Sequence, residues 1–315
     1  MLNRRYLRIK VMQALYAFIQ SPDKDMAKGE KNLHNNISKI YDLYIHLLML
    51  LGEIRDHAAN TLEEAKNKHL PTPADINPNT RFIDNVVFKQ LAANRNLERE
   101  IRERKISWQG ESEMIKKIFQ QIRDGESFKS FLASSDTSYK TQRDLIINIY
   151  SEFISGNETL EYYFEEKNIY WVDDIDFVNA MVIKTISALT ESSDENTPLM
   201  KLYKDEEDDK KFMVDLFRKT ILNDEESEKF IGEKTKNWEM DRIAMMDVLL
   251  MKMAITEILN FNNIPVKVSL NEYIEISKEY STPKSKIFIN GILDKLVADF
   301  KANDTIKKVG RGLME

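Results

Sequence analysis

Glycine and proline, the residues that most often interrupt regular helix, are scarce here: 9 and 7 in 315 positions. Long stretches run without a breaker, which favours helices over a many-stranded sheet with turn-rich connections. This length usually supplies about two domains and enough chain for real cores. The 42% hydrophobic and 31% charged residues fit an ordinary globular protein. Cysteine is absent, which excludes a disulfide framework, a thiolate zinc site and a Cys nucleophile, and is compatible with a reducing compartment. The longest apolar run, Ala14 to Ile19, is too short for a bilayer, which needs ~20 residues. The basic start leads into an apolar stretch interrupted by Gln13 with no small-residue cleavage site after it. A cytoplasmic protein without a membrane partner is the expectation.

Apolar spacing marks the elements. Val11, Ala14, Leu15 and Phe18 give the first segment one stripe, which Ser21-Pro22-Asp23 stops. Helical pattern resumes near Asn36 and runs to about Lys68, and Pro71, Pro73 and Pro78 form a breaker-rich connection. Further helices are predicted over about 80–104, 111–133, 138–154, 158–168 and 174–190. Residues 191–211, with Asp205-Glu206-Glu207-Asp208-Asp209, change character and read as a linker. Helices return over 212–222, 225–236 and 241–260. Ser269 with Glu272 reads as a capping box opening a helix to about Tyr280, and a last helix spans about 285–301. Five residues (Tyr150, Ile154, Glu158, Lys167, Trp171) match Phe217, Ile221, Glu225, Lys234 and Trp238 at an offset of 67. Duplication of a module and chance agreement between amphipathic helices both account for this.

The net charge of -6 is unevenly spread. Residues 1–20 carry Arg4, Arg5, Arg8 and Lys10 and no acid. A local basic patch of that kind is all that phosphate attraction requires, whatever the global balance. Residues 21–205 hold 24 basic against 31 acidic residues, so protein contact or a structural role suits them better than RNA. The aromatics Tyr162-Tyr163-Phe164 and Tyr170-Trp171 suit either an interface or a core.

Catalytic and cofactor signatures are missing. The four histidines, His34, His46, His57 and His69, form neither His-Glu-x-x-His nor Glu-x-x-His. Asp42 with His46 and Glu53 with His57 are ordinary helix-face pairs. Neither a Gly-rich phosphate loop nor a Gly-x-Ser-x-Gly elbow occurs. The expectation is no enzyme, no cofactor and no metal site.

Three segments carry information. In the first, Arg4 and Arg8 share a helix face with Arg5 beside them, near a helix N-terminus. Guanidinium forks there either grip phosphates or form a solubilising cluster. The second, Pro265 to Lys278, and the third, Ser285 to Lys295, read alone as core helices. Gly291 within the third costs ~1 kcal/mol relative to Ala, which a close helix crossing would explain.

Together these segments resemble the NusB family of bacterial antitermination factors. The resemblance rests on the Arg-rich start running into Gln13-Ala14-Leu15-Tyr16 and on Asn237-Trp238-x-x-Asp241-Arg242-Ile243. It rests also on Ile264-Pro265-x-Lys267-Val268-x-x-Asn271-Glu272 and Phe288-x-Asn290-Gly291-x-Leu293-Asp294. It implies an all-α fold, a helical bundle of two subdomains, here with an inserted helical region. Residues 1–20 and 206–302 are expected to form the core, 21–205 the insertion and 303–315 a flexible tail. The implied function is antitermination: binding boxA-type single-stranded RNA of nascent ribosomal transcripts together with NusE, a ribosomal protein, and indirectly with other Nus factors and RNA polymerase. A scaffold that has lost RNA binding is the alternative. By position, Arg4, Arg5 and Arg8 match the family's arginine-rich motif, and Phe288 its aromatic residue near RNA. Lys284 and Lys286 add positive potential beside it. Tyr16, Asp241 and Asp247 are similar in position to NusE contacts, where acids facing a basic protein suit the chemistry.

Overall fold

A computed structural model describes residues 1–235 and 243–313, and no strand occurs among them. The helices run α1 (Arg4–Gln20), α2 (Met26–Lys66), α3 (Pro73–Ile76), α4 (Val86–Ala93), α5 (Arg95–Arg104), α6 (Ser112–Asp124), α7 (Glu126–Ala133) and α8 (Tyr139–Ile149). They continue as α9 (Glu158–Lys167), α10 (Ile175–Ala188), α11 (Glu206–Leu222), α12 (Asp224–Lys234), α13 (Met245–Asn260), α14 (Val266–Tyr280) and α15 (Ser285–Ala302). None is long and apolar enough to cross a membrane.

The chain divides into two compact units, residues 1–37 with 202–315, and residues 38–201. In the first unit α13 is the central rod. Every residue from Leu249 to Ile258 is buried, as expected of a helix apolar almost all round. Helices α1, α11, α12, α14 and α15 pack around it. Its three buried charges are all answered: Asp247 accepts from Ser281 and Ser285, Lys252 donates to Asp224 and Glu228 at 2.8 and 3.0 Å, and Glu257 accepts from Arg8. The second unit is built on α8, which packs against α4, α7 and α10. Phe82 stands among Phe88, Phe119 and Phe128 at centroid distances of 5.1, 6.0 and 5.1 Å.

Several sequence expectations shift. The helix expected from about residue 36 begins at Met26, because the Asp25 carboxylate accepts from the Ala27 and Lys28 backbone amides. The stretch 80–104 is two helices. Asn94 ends α4 and then caps α5, accepting from Leu97 N at 2.9 Å. The stretch 111–133 is likewise two helices, parted at Gly125, whose extended backbone ends α6 and begins α7 without a side-chain cap. The segment read as a linker is held along its first part by Gln90 and Asn94, which donate to Thr190 O, Ser193 O and Thr197 O. The tail expected to be flexible is docked: Val309 N donates to Asn262 O and Lys308 Nζ to Phe261 O, each at 2.9 Å. A Cβ on Gly312 would fall 1.9 Å from Asn262 O, so the close approach depends on glycine. The two repeat halves share a helix order, α8–α9–α10 and α11–α12–α13; Trp238 lies outside the described residues.

Candidate nucleic-acid interface

The basic segment becomes the first turns of α1. Asn3 caps it, its side chain accepting from Tyr6 N at 2.8 Å, so Arg4 and Arg5 stand at the positive end of the helix dipole. That placement is electrostatically uphill for cations, and carboxylates from other helices compensate it. Arg5 donates from Nε and Nη2 to Glu272 of α14 at 3.1 and 2.9 Å. These bonds, then the charges of Glu272, Glu275 and Glu279, outweigh slight burial and raise the Arg5 pKa above its ordinary value. Its side chain is still 42% exposed. Arg4 pairs with Asp208 and, at 3.4 Å, with Asp209 of α11. Its guanidinium also lies 4.3 Å from the Phe212 ring centroid.

Arg8 has a different role from the expected one. Its side chain is 2% exposed and donates twice to Glu257, at 2.8 and 2.7 Å. Glu257 also accepts from Ser269 Oγ at 2.7 Å and Tyr273 Oη at 3.1 Å. Burial pulls the Arg8 pKa down, but the hydrogen bonds and charge of Glu257 raise it further, so the ion pair persists. An arginine committed in this way cannot grip a phosphate; it ties α1 to α13. The same geometry replaces the expected capping box. Ser269 lies inside α14, which begins at Val266 behind Pro265, and serves Glu257, while Glu272 serves Arg5.

At the start of α15, Lys284 and Lys286 are exposed and Phe288 is half-buried. Glu275 links this end to α1. Its pKa is held below the ordinary value first by Lys278, and also by the charges of both Arg5 and Lys286. Helix α14 itself packs against both α1 and α15.

Of the expected partner contacts, Tyr16 is exposed, near Ile19 in sequence, and Gln20 reaches Met245 Sδ at 3.5 Å. Asp247 is buried instead, accepting from Ser281 Oγ and from Ser285 Oγ at 2.8 Å. It anchors the turn into α15, so it offers a partner no free carboxylate. Asp241 lies outside the described residues.

Beside Arg4 and Arg5 opens a groove of about 1300 Å³. Its walls include Lys204, Lys211 and Lys219, together with Asn260, Asn262 and Asn263. The sequence reading missed these residues, although Lys211, Asp215 and Lys219 follow the four-residue step of one helix face. Among the described residues no group of three or more His, Cys, Asp or Glu side chains could hold a metal ion.

Residues 178–298 match the model of the NusB family. The match takes in α11 to α14 and most of α15, and starts within α10; it leaves out the arginine segment of α1. The transcription antitermination protein NusB of Salinibacter ruber is 45% identical over 103 residues, 33% of this chain and 64% of that protein. Its counterpart from Chloroherpeton thalassium is 42% identical over 106 residues, 34% of this chain and 50% of that protein. That from Natranaerobius thermophilus is 40% identical over 78 residues, 25% of this chain and 56% of that protein. The chain thus covers less than two thirds of each relative. No solved structure matches it. Its motifs at 264–272 and 288–294 fall within the matched residues, and the chain carries a NusB family domain over residues 178–298 while being longer than a typical NusB.

Proposed function

We propose that this chain is a non-enzymatic, cytoplasmic antitermination factor that binds boxA-type single-stranded RNA. Arg4, Arg5, Lys284 and Lys286 contact phosphates and Phe288 stacks on a base; Arg8 supports them from the core. NusE is the proposed protein partner, through the surface around Tyr16, with other Nus factors and RNA polymerase reached indirectly. The observation that carries this reading is that α14 packs against both α1, which holds Arg5, and α15, which holds Lys286. It brings cations from the two ends of the sequence to the two helices that flank α14, with the half-buried Phe288 also on α15. Basic groups tracking a backbone beside an aromatic platform suit single-stranded RNA.

Labelled boxA-like RNA titrated by fluorescence anisotropy, with and without NusE at two salt concentrations, tests the reading. Binding should tighten with NusE and weaken with salt. Arg5→Ala should weaken it and flatten the salt dependence by about 0.7, the share of one single-strand phosphate. Phe288→Ala should cost about 1–3 kcal/mol, the range for one stacked base. Unchanged binding in both variants would sink the assignment. The carboxylates on Arg4 and Arg5 favour a second reading, a scaffold without RNA; NusE binding with no RNA binding under any condition would support it.

A further inference from the structure

We infer that the groove beside Arg4 is a second stretch of the RNA-binding surface, holding nucleotides that flank the boxA-type element. The inference rests on the RNA reading above. Its floor is the pair Phe212 and Phe261, edge to face at 5.4 Å between centroids. A cation sits on each ring: the Arg4 guanidinium 4.3 Å from Phe212 and the Lys219 ammonium 5.1 Å from Phe261. The row Arg4–Phe212–Phe261–Lys219 carries positive charge from the arginine end along α11. Both rings are buried, so they hold the cations in place rather than stack on bases.

The lining holds six cations, Arg4, Arg5, Arg8, Lys204, Lys211 and Lys219, against five carboxylates, Asp205, Asp208, Asp209, Asp215 and Glu272, an excess of one positive charge. Asp208 and Asp209 are taken by Arg4 and Glu272 by Arg5. The Asp205 side chain caps α11, accepting from Asp208 N at 3.1 Å. Asp215 is the one lining carboxylate without such an engagement among the described residues, against Lys204, Lys211 and Lys219, none of which has a carboxylate within ion-pair distance there. An ammonium held near an aromatic face keeps its full charge for an incoming phosphate. Lys211 and Lys219 are eight residues apart on α11, so ~12 Å along the helix axis, a span for a few nucleotides of an extended strand. Asn262 and Asn263, which also line the groove, are exposed, and their carboxamides make no hydrogen bond among the described residues. Free carboxamides beside a basic track suit the edges of unpaired bases.

The test uses the full chain and two labelled single-stranded RNAs, a boxA-like element alone and the same element extended by several nucleotides at both ends. The extended RNA should bind more tightly to the unaltered protein. Lys211→Ala with Lys219→Ala should remove that gain and flatten the salt dependence for the extended RNA by about 1.4, the share of two single-strand phosphates. Binding of the short RNA should stay as it was. Lys219→Arg should restore part of the gain, and Asn262→Ala with Asn263→Ala should weaken dependence on the flanking sequence. An extended RNA bound no more tightly than the short one would overturn the inference while leaving the boxA reading intact. So would a gain that survives in the double lysine variant, or lysine variants that impair only NusE binding. Failure of the unaltered protein to bind either RNA would overturn both readings.

Discussion

Arg5 and Arg8 lie one turn apart on α1, and burial divides their work. Arg5 stays near water and can exchange Glu272 for a phosphate, whereas Arg8 is sealed against Glu257. A buried ion pair adds little over an apolar pair of the same shape, but losing one partner strands the other charge. Arg8→Met should therefore destabilise the protein by about 3–5 kcal/mol, read as a lower midpoint in urea. Loss of RNA affinity in that variant should follow loss of fold. A variant as stable as the original would refute the anchoring role. The cationic character of the segment was legible in the sequence; the burial of Arg8 was not. Its partner Glu257 lies 249 positions away, and no local spacing rule links them. Ser269 and Glu272 misled for the same reason. Their spacing fits a cap, but Ser269 is recruited by Glu257 of α13 and Glu272 by Arg5 from the other end of the chain.

Two glycines show how helices carry information that spacing does not. Gly291 was expected to sit at a close crossing, yet a Cβ there meets nothing within 4 Å. The crossing that needs a missing side chain is at Gly29, where a Cβ would lie 2.7 Å from the Phe217 ring of α11 and 3.2 Å from Phe18. Gly291→Ala should therefore stabilise the protein by about 0.5–1 kcal/mol through lower chain entropy. Gly29→Ala should destabilise it, because the helix gain is set against overpacking worth roughly 1–3 kcal/mol. Thermal melts of both variants check the pair; the same direction of shift in both would contradict it. Helix existence was readable almost throughout from the apolar period. Boundaries failed where polar side chains decide them, as at Asp25 and Asn94, because a cap is set by one hydrogen bond and leaves the hydrophobic pattern unchanged.

The whole chain has two cores, and the first of the two crossings between them falls where no breaker marks it. The family resemblance implied an insertion starting at 21. Yet α2 passes from the first unit to the second between Ile37 and Ser38, within unbroken helix. Its early turns belong to the first unit because Gly29 meets Phe217 and Glu30 pairs with Arg218 of α11 at 2.6 Å. Separate cores should respond to separate perturbations. In the second unit His46 lies among Trp108, Phe164 and Trp171, at centroid distances of 5.8, 6.2 and 5.5 Å. Burial lowers its pKa from 6.5, against the raising effect of the Asp42 carbonyl. The unfolded chain then binds more protons than the folded one just below pH 6.5, so the second unit should lose stability as pH falls through that window. In a Trp238→Phe background, tryptophan fluorescence follows the second unit through Trp108 and Trp171, whose indoles donate to His46 O and Lys39 O at 3.0 and 2.7 Å. Calorimetry between pH 7 and about 5 should show two components. Acid should move the one that tracks fluorescence, and His46→Gln should blunt that movement. Arg8→Met should move the other. One transition displaced equally by acid and by Arg8→Met would mean that the unbroken α2 couples the two cores into a single cooperative unit.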